Sequence, residues 1–332
     1  MEHLPLFLIL IIILGLVFDF INGFHDTANT IATSVTTRAL SPRTAILIAA
    51  CANFGGALLF SGVAETITKD IVNPFSLENG SAVILGALIS AIFWNLITWY
   101  FGIPSSSSHA LVGSISGAAI AAGGVHILNY KGFFGIVQGL IISPIIAIII
   151  GFLIMKVFQR TLKNLPLYKT NKRMRSLQMV TAGLQSFSHG TNDAQKTMGI
   201  MTMALITSGY QSSTAVPFWI KILVAAAMAL GTSVGGWKII KTVGGKITKL
   251  TPASGAAADI SSALIIFGFT ALKLPVSTTH VISSSIMGVG SAQQFKSVKW
   301  GTAKRIVLTW VITLPLTALL GALVFKVLSI MM

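Results

Sequence analysis

The chain has 332 residues, of which 54% are apolar and 9% charged, and its mean hydropathy is +0.84. A soluble domain needs about a quarter of its residues charged to cover its surface, so these values exclude a soluble enzyme and leave a polytopic membrane protein. The net charge of +15 falls between the apolar segments, where it acts as an orientation signal, and no nucleic-acid partner is expected.

Ten apolar stretches predict helices, at roughly 4–22, 44–64, 81–102, 108–124, 132–155, 178–206, 216–234, 255–274, 278–292 and 306–328. Most are long enough to cross a hydrocarbon core of about 30 Å. The first lacks a basic leader and a clear cleavage site, so it reads as a retained helix. Glu65, Asp70 and Glu78, between the second and third, mark a solvated outer loop. The fourth and ninth are short, and each follows a Pro-Ser/Thr break. A basic cytoplasmic linker at 159–176 separates an N-terminal membrane repeat, 1–158, from a C-terminal one, 177–332. With both termini outside, 17 of the 23 basic residues lie on the inner side; the opposite orientation reverses the ratio. The expected protein is therefore multi-pass in the plasma (inner) membrane, surrounded by lipid bilayer, with both termini outside.

The chain repeats itself. The hexapeptide beginning Pro104-Ser105-Ser106-Ser107 returns 171 residues later as Pro275-Val276-Ser277-Thr278-Thr279-His280. Ile46-Leu47-Ile48-Ala49-Ala50 returns after 176 residues, and the Gly-Phe-His-Asp segment at 23–30 returns at 190–197. The three matches keep their order, so each half holds five segments. An odd number sets the second half upside down, and inverted repeats with broken helices build secondary transporters whose site lies at the midplane. The fold expected is an all-α membrane protein of two inverted-topology repeats with broken helices and re-entrant Ser/Thr hairpins.

The interruptions carry the chemistry. A carboxylate at the bilayer centre costs about 2.5–3.5 kcal/mol on insertion scales, yet Asp26 and Asp193 occupy matched positions beside Asn29 and Lys196. Helix capping or an Asp193–Lys196 pair is one reading. The sharper one makes the aspartates cation ligands or acceptors for a protonated oxyanion, with Lys196 balancing anionic charge. At the second interruption a proline suits the first position of a helix. The hydroxyls and free N–H groups after it suit an anion at the helix's positive end. His109 and His280 share a repeat position and read as hydrogen-bonded within their hairpins, whereas His25 and His189 flank the acidic motifs. Asp259, inside an apolar stretch, reads as a coupling-ion ligand.

NGFHDTANTIAT (22–33), SHGTNDAQKTMGI (188–200), PSSSSH and PVSTTH together resemble the PiT family of inorganic phosphate transporters, above all its short bacterial members. The resemblance covers essentially the whole chain through four ordered motifs. It implies that Asp26, Asn29, Asp193, Ser105, Ser106, Ser107, Ser277, Thr278 and Thr279 line the phosphate and cation sites. It also matches Asp259 to the family's acidic residue ahead of the second hairpin. Where the commoner family motif reads Gly-Ala-Asn-Asp, His25 stands before Asp26, which leaves the ligand contributed there open. Members use sodium, or protons with a divalent metal–phosphate complex, and are homodimeric.

The expected function is cation-coupled import of inorganic phosphate by alternating access, with sodium or a proton as the coupling ion and no cofactor. Phosphate falls to Ser105, Ser106, Ser107, Ser277, Thr278, Thr279, Asn29 and Lys196. The coupling cation falls to Asp26, Asp193, Asp259 and Asn192, and a metal carried with phosphate to Asp26 and Asp193. The alternative is a symporter of another tetrahedral oxyanion such as sulfate. Sulfate has no O–H to donate at neutral pH, so the aspartates argue against it. A channel would not need acids paired with anion-binding helix ends. No nucleotide-binding loop, metal cluster or catalytic triad spacing suggests an enzyme.

Overall fold

The computed structural model describes residues 4–77 and 79–331. Among them there are thirteen α-helices and no β-strand beyond an isolated Val72–Leu128 bridge. In the first half α1 (Leu4–His25) runs into α2 (Thr27–Thr36), followed by α3 (Pro42–Leu59), α4 (Gly62–Asp70), α5 (Gly80–Phe101), α6 (Ser107–Gly123) and α7 (Tyr130–Leu162). The second half is α8 (Leu167–Thr207), α9 (Phe218–Val234), α10 (Trp237–Gly245), α11 (Pro252–Ala271), α12 (Thr278–Gln293) and α13 (Trp300–Met331). Among the described residues six helical segments are able, by length and composition, to cross a membrane, and the bent pair α9–α10 makes a seventh. The long exposed residues Ile141, Ile145, Ile149 and Leu153 recur every fourth position of α7, which is a lipid-facing stripe.

The helices correct several sequence expectations. Residues 190–197 do not interrupt anything: they lie inside the unbroken 41-residue α8. Their polarity mimics a loop, but α-helical hydrogen bonds depend on the backbone, and neighbouring helices satisfy these side chains. The chain breaks instead between α3 and α4 at Phe60 and Ser61, and between α9 and α10 at Gly235 and Gly236, with a bend of 75° at the latter. Gly235 has φ +74°, in the left-handed region that glycine tolerates. The basic stretch 159–176 is the end of α7, a short turn and the first turns of α8. Glu65 and Asp70 sit on helix α4 rather than in a loop, Glu65 facing Lys273 at 3.6 Å; Glu78 lies outside the described residues.

The two halves pack through one another by matched contacts. α6 packs on α13 as α12 packs on α7, and α1 meets α9 as α3 meets α8. Glycines set the approach: Gly117 lies against the Ala318 carbonyl and its counterpart Gly288 against the Ile148 carbonyl. Likewise Gly231 abuts the Phe20 carbonyl, and Gly56 the Phe187 carbonyl. Small residues allow such backbone contact, which replaces the hydrophobic driving force that lipid removes.

Gly117→Ala drives a methyl group into the Ala318 carbonyl and should destabilise the detergent-purified protein by about 1–3 kcal/mol. Gly268→Ala meets nothing within 4 Å and should be neutral or stabilising by up to about 1 kcal/mol. Thermal unfolding of both variants checks the pair, and equal melting temperatures would refute the close-packing role.

Candidate functional site

Each hairpin tip is built by a serine cap. Ser106 precedes α6 in extended backbone (φ −108°, ψ 112°), and its Oγ accepts from the His109 N–H at 3.1 Å. Ser277 does the same for α12, accepting from the His280 N–H at 3.3 Å. The prolines therefore stand before the cap rather than at the first helical position. A capping hydroxyl satisfies a helix-end donor, and Pro104 instead offers its carbonyl to the Trp310 indole at 3.3 Å. The first turns of α6 and α12 leave their remaining N–H groups at a positive helix end.

Both positive ends converge on one carboxylate. Asp26, in the one-residue gap between α1 and α2, is buried. Its Oδ2 accepts from the Ser107 hydroxyl at 2.5 Å, and its Oδ1 from the Thr279 hydroxyl at 3.0 Å. Ser107 opens α6 and Thr279 lies in the first turn of α12. Asn29 steadies the arrangement by donating its Nδ2–H to Thr279 Oγ1 at 2.9 Å. His25 Nδ1 lies 2.6 Å from Asp26 Oδ1, while its Nε2 reaches Thr98 Oγ1 at 3.2 Å.

The matching residue of the second half is a second node. Asp193 on α8 pairs with Lys196 one turn along, and Lys196 is 1% exposed. Asp193 Oδ2 also accepts from Thr278 at 3.1 Å and lies 3.3 Å from His189 Nε2. Asn192 holds the second tip from beneath: its Nδ2–H donates to Thr270 at 2.9 Å, and its Oδ1 accepts the Val276 N–H at 3.2 Å. The tips also touch each other, Ser108 donating to the Val276 carbonyl at 2.9 Å.

Asp26 with Ser107, Thr279 and Asn29 thus forms one hydrogen-bonded cluster and Asp193 with Lys196 and Thr278 a second; the two adjoin through the Thr278–Thr279 backbone into one network, which Asn192 braces at Val276. Ser106 and Ser277 serve as caps, and Ser105 donates to Thr98 at 2.7 Å. Asp259 stands apart, accepting from Thr33 of α2 at 2.6 Å and Thr181 of α8 at 3.2 Å. His109 does bond within its hairpin, with Nδ1 2.9 Å from Ser106 Oγ, but it also packs on His280, which stacks on Trp310. The sequence reading missed Thr98, Gln195, which caps α4 through the Val63 N–H at 2.8 Å, and above all Asp19. Asp19 is an acid inside an apolar stretch, the same signal that singled out Asp259.

A family model described as the phosphate transporter family matches residues 22–321. The chain is 62% identical to the "Probable low-affinity inorganic phosphate transporter" of Bacillus subtilis (strain 168), over 99% of each chain. It is 44% identical to the protein of that description from Rhizobium meliloti (strain 1021), covering 95% of this chain and 94% of the relative. A solved structure described as "The sodium-dependent phosphate transporter" superposes with a TM-score of 0.87 at 29% identity, covering 98% of this chain and 100% of that one.

The geometry separates the hydroxyls by role. Ser107→Ala and Thr278→Val each remove a donor aimed into the network and should weaken phosphate binding by roughly ten-fold, the worth of about one hydrogen bond to a charged group. Ser105→Ala removes a bond to Thr98 and a long contact with His25 Nε2 at 3.5 Å, neither to an aspartate, and should cost less. Equilibrium binding of radiolabelled phosphate to the purified protein checks the ranking, and an effect of Ser105→Ala larger than both others would reverse it.

Proposed function

Because the chain belongs to the phosphate transporter family, we propose that it is a secondary active transporter importing inorganic phosphate with a cation across the plasma (inner) membrane. One observation carries this reading: a single buried carboxylate, Asp26, receives hydroxyl donors from two helix N-termini 172 positions apart, Ser107 and Thr279. The carboxylate occupies the place where two positive helix ends would hold an oxyanion.

The chemistry of exchange follows. Arriving phosphate takes the Ser107 and Thr279 hydroxyls, and that of Thr278, onto its own oxygens. Lys196, buried beside Asp193, supplies positive charge. Asp26 and Asp193 lose donors as this happens, and a carboxylate stripped of hydrogen bonds inside the bilayer is expensive. Two things relieve it: the O–H that phosphate still carries, which a carboxylate accepts, and a cation. Anion and cation therefore enter together. Sulfate supplies no O–H at neutral pH, which favours phosphate over that alternative.

Similarity to the sodium-dependent transporter supports sodium as the coupling ion, with a proton as the competitor. Asp26, Asp193 and Asn192 meet the ion at the anion, and Asp259 is a further coupling ligand held by Thr33 and Thr181. A divalent ion carried with phosphate, as a metal–phosphate substrate, would meet Asp26 and Asp193. Residues 1–158 and 177–332 are read as inverted repeats joined by a cytoplasmic 159–176, with both termini outside. The matched helix contacts of the two halves support this, as does the inner placement of most basic residues. The α5–α6 and α11–α12 hairpins are then re-entrant, and alternating access moves one set of helices against the other. The outer faces of α7 and α13 meet lipid or the second copy of a homodimer.

In proteoliposomes, phosphate uptake should follow an imposed sodium gradient, and Asp26→Asn should abolish it while the protein remains abundant in the membrane. Uptake driven by a proton gradient alone would replace sodium with the proton, and normal uptake by Asp26→Asn would remove the carboxylate from the mechanism. Orientation is tested by a cysteine at Asn171, which is exposed, whereas its neighbour Thr170 is buried. In a Cys51→Ala background Asn171→Cys should react with an impermeant thiol reagent only after the cells are opened. Labelling in intact cells would reverse the topology.

A further inference from the structure

Two turns before Asp26, α1 carries a second buried carboxylate that the exchange above does not use. Asp19 is 0% exposed. Its Oδ1 accepts from Thr197 of α8 at 2.8 Å, and its Oδ2 has no partner. One turn on, Asn22 is equally buried and lies close enough to act on the Asp19 carboxylate, but neither of its amide atoms completes a hydrogen bond, and those of the buried Asn95 of α5 complete none either. Either orientation of each amide therefore offers a free oxygen. Buried polar atoms are nearly always satisfied, so three side chains left open in one region call for a ligand.

Register brings them together. Gly15 of α1 lies against Met201 of α8, and Gly80 of α5 against Thr207, one and a half turns further along α8. The starts of α1 and α5 are therefore at the same end, and the two helices, which pack on each other, run parallel. The His25–Thr98 contact at 3.2 Å aligns them. Asn22 and Asn95 each stand three residues before that pair, on the same face of their helices as the bonded residues, and so at one level. Asp19 lies one further turn down the same face of α1.

We propose that Asp19, Asn22 and Asn95 form a binding site for a monovalent cation, sodium, distinct from the Asp26–Asp193 network. This rests on the transporter reading above. The donors are all oxygens, one carboxylate and two amides, which suits a hard cation; no thiolate or imidazole is among them. A single carboxylate neutralises a single charge. The charged groups acting on it through space are Asp193 and Lys196, and these already pair with each other, so Asp19 has no countercharge of its own. A divalent ion would leave an uncompensated positive charge in the bilayer beside Lys196. A proton would quiet Asp19 but leave the amide oxygens open, whereas one sodium ion satisfies all three.

The test uses the full-length protein, purified in detergent in choline chloride without phosphate, with unfolding temperature followed as sodium is added. Sodium should stabilise the wild type. In Asp19→Asn, which keeps an acceptor for Thr197, and in Asn95→Leu, which keeps the branched shape without the oxygen, the sodium midpoint should rise by about ten-fold or more, the loss of one good ligand. Unchanged midpoints in both variants, or a wild type indifferent to sodium, overturn the site. If Asp19→Asn fails to fold, Asn95→Leu alone decides. Phosphate uptake is measured in parallel: a wild type that binds sodium through these residues but carries no phosphate would fail the transport reading and leave the cation site standing.

Discussion

The constraint on which the rest depends is the sharing of one carboxylate by two helix ends. Asp26 accepts from Ser107 and Thr279, residues that no local interaction could bring together. A buried charge in hydrocarbon is tolerated only with partners, so α6 and α12 must both end their hairpins at this point. For both tips to fit, backbones must touch, and the glycine contacts of α6 on α13 and of α12 on α7 supply that closeness. The serine caps free the remaining hydroxyls of each tip for the centre. Packing, capping and electrostatics thus answer to a single site.

Much of this was legible in the sequence, because repetition marks positions that matter twice. The paired aspartates and the two Ser/Thr turns stood out when one half was matched to the other, and the short fourth and ninth segments by their length alone. Two kinds of feature did not. Residues 190–197 read as an interruption because polar side chains look alike in a loop and in a buried helix; only the partners, Thr270 for Asn192 and Thr278 for Asp193, tell them apart, and partners are nonlocal. The break at Phe60–Ser61 hid inside an apolar stretch, where a hydropathy pattern is blind to direction, and the one at Gly235–Gly236 fell just past the end of another, where the paired glycines were the available clue. The contact between His109 and His280 required the tertiary structure, since two matched residues need not meet.

The framework is symmetric but its chemistry is not. Thr30 and Thr197 occupy the same repeat position. Thr30 faces Ser186 at 3.0 Å, whereas Thr197 donates to Asp19, and Ser186 and Asp19 are themselves repeat counterparts. One side of the site therefore carries a carboxylate where the other carries a hydroxyl. Likewise Asp26 has a histidine before it and Asp193 an asparagine, while Asp193 alone has a buried lysine one turn on. In the proposed transport cycle the matched backbone gives two interchangeable arrangements of nearly equal energy. The unmatched side chains give each arrangement a different appetite for charge.

That asymmetry also arranges the acids in a line. α1 and α2 form one span nearly straight enough to count as a single helix. Along it Asp19, Asp26 and Thr33, the donor to Asp259, follow at intervals of seven residues, which is about 10 Å per step. Opposite them on α8 stand Thr197, Asp193 and Thr181, bonded to Asp19, Lys196 and Asp259 in turn. Four buried carboxylates thus share one buried lysine. Such a row is unfavourable with every member ionised and unpartnered, because each desolvated charge adds its own penalty and repels the next. Cations relieve it, and they relieve it most where hydroxyl and amide oxygens are already in place. An anion that takes donors from Asp26 raises the demand for a cation at the middle of the row, so the coupling of the two need not be a separate device. In the proposed cycle it is the electrostatic consequence of an oxyanion held at the centre of a line of acids.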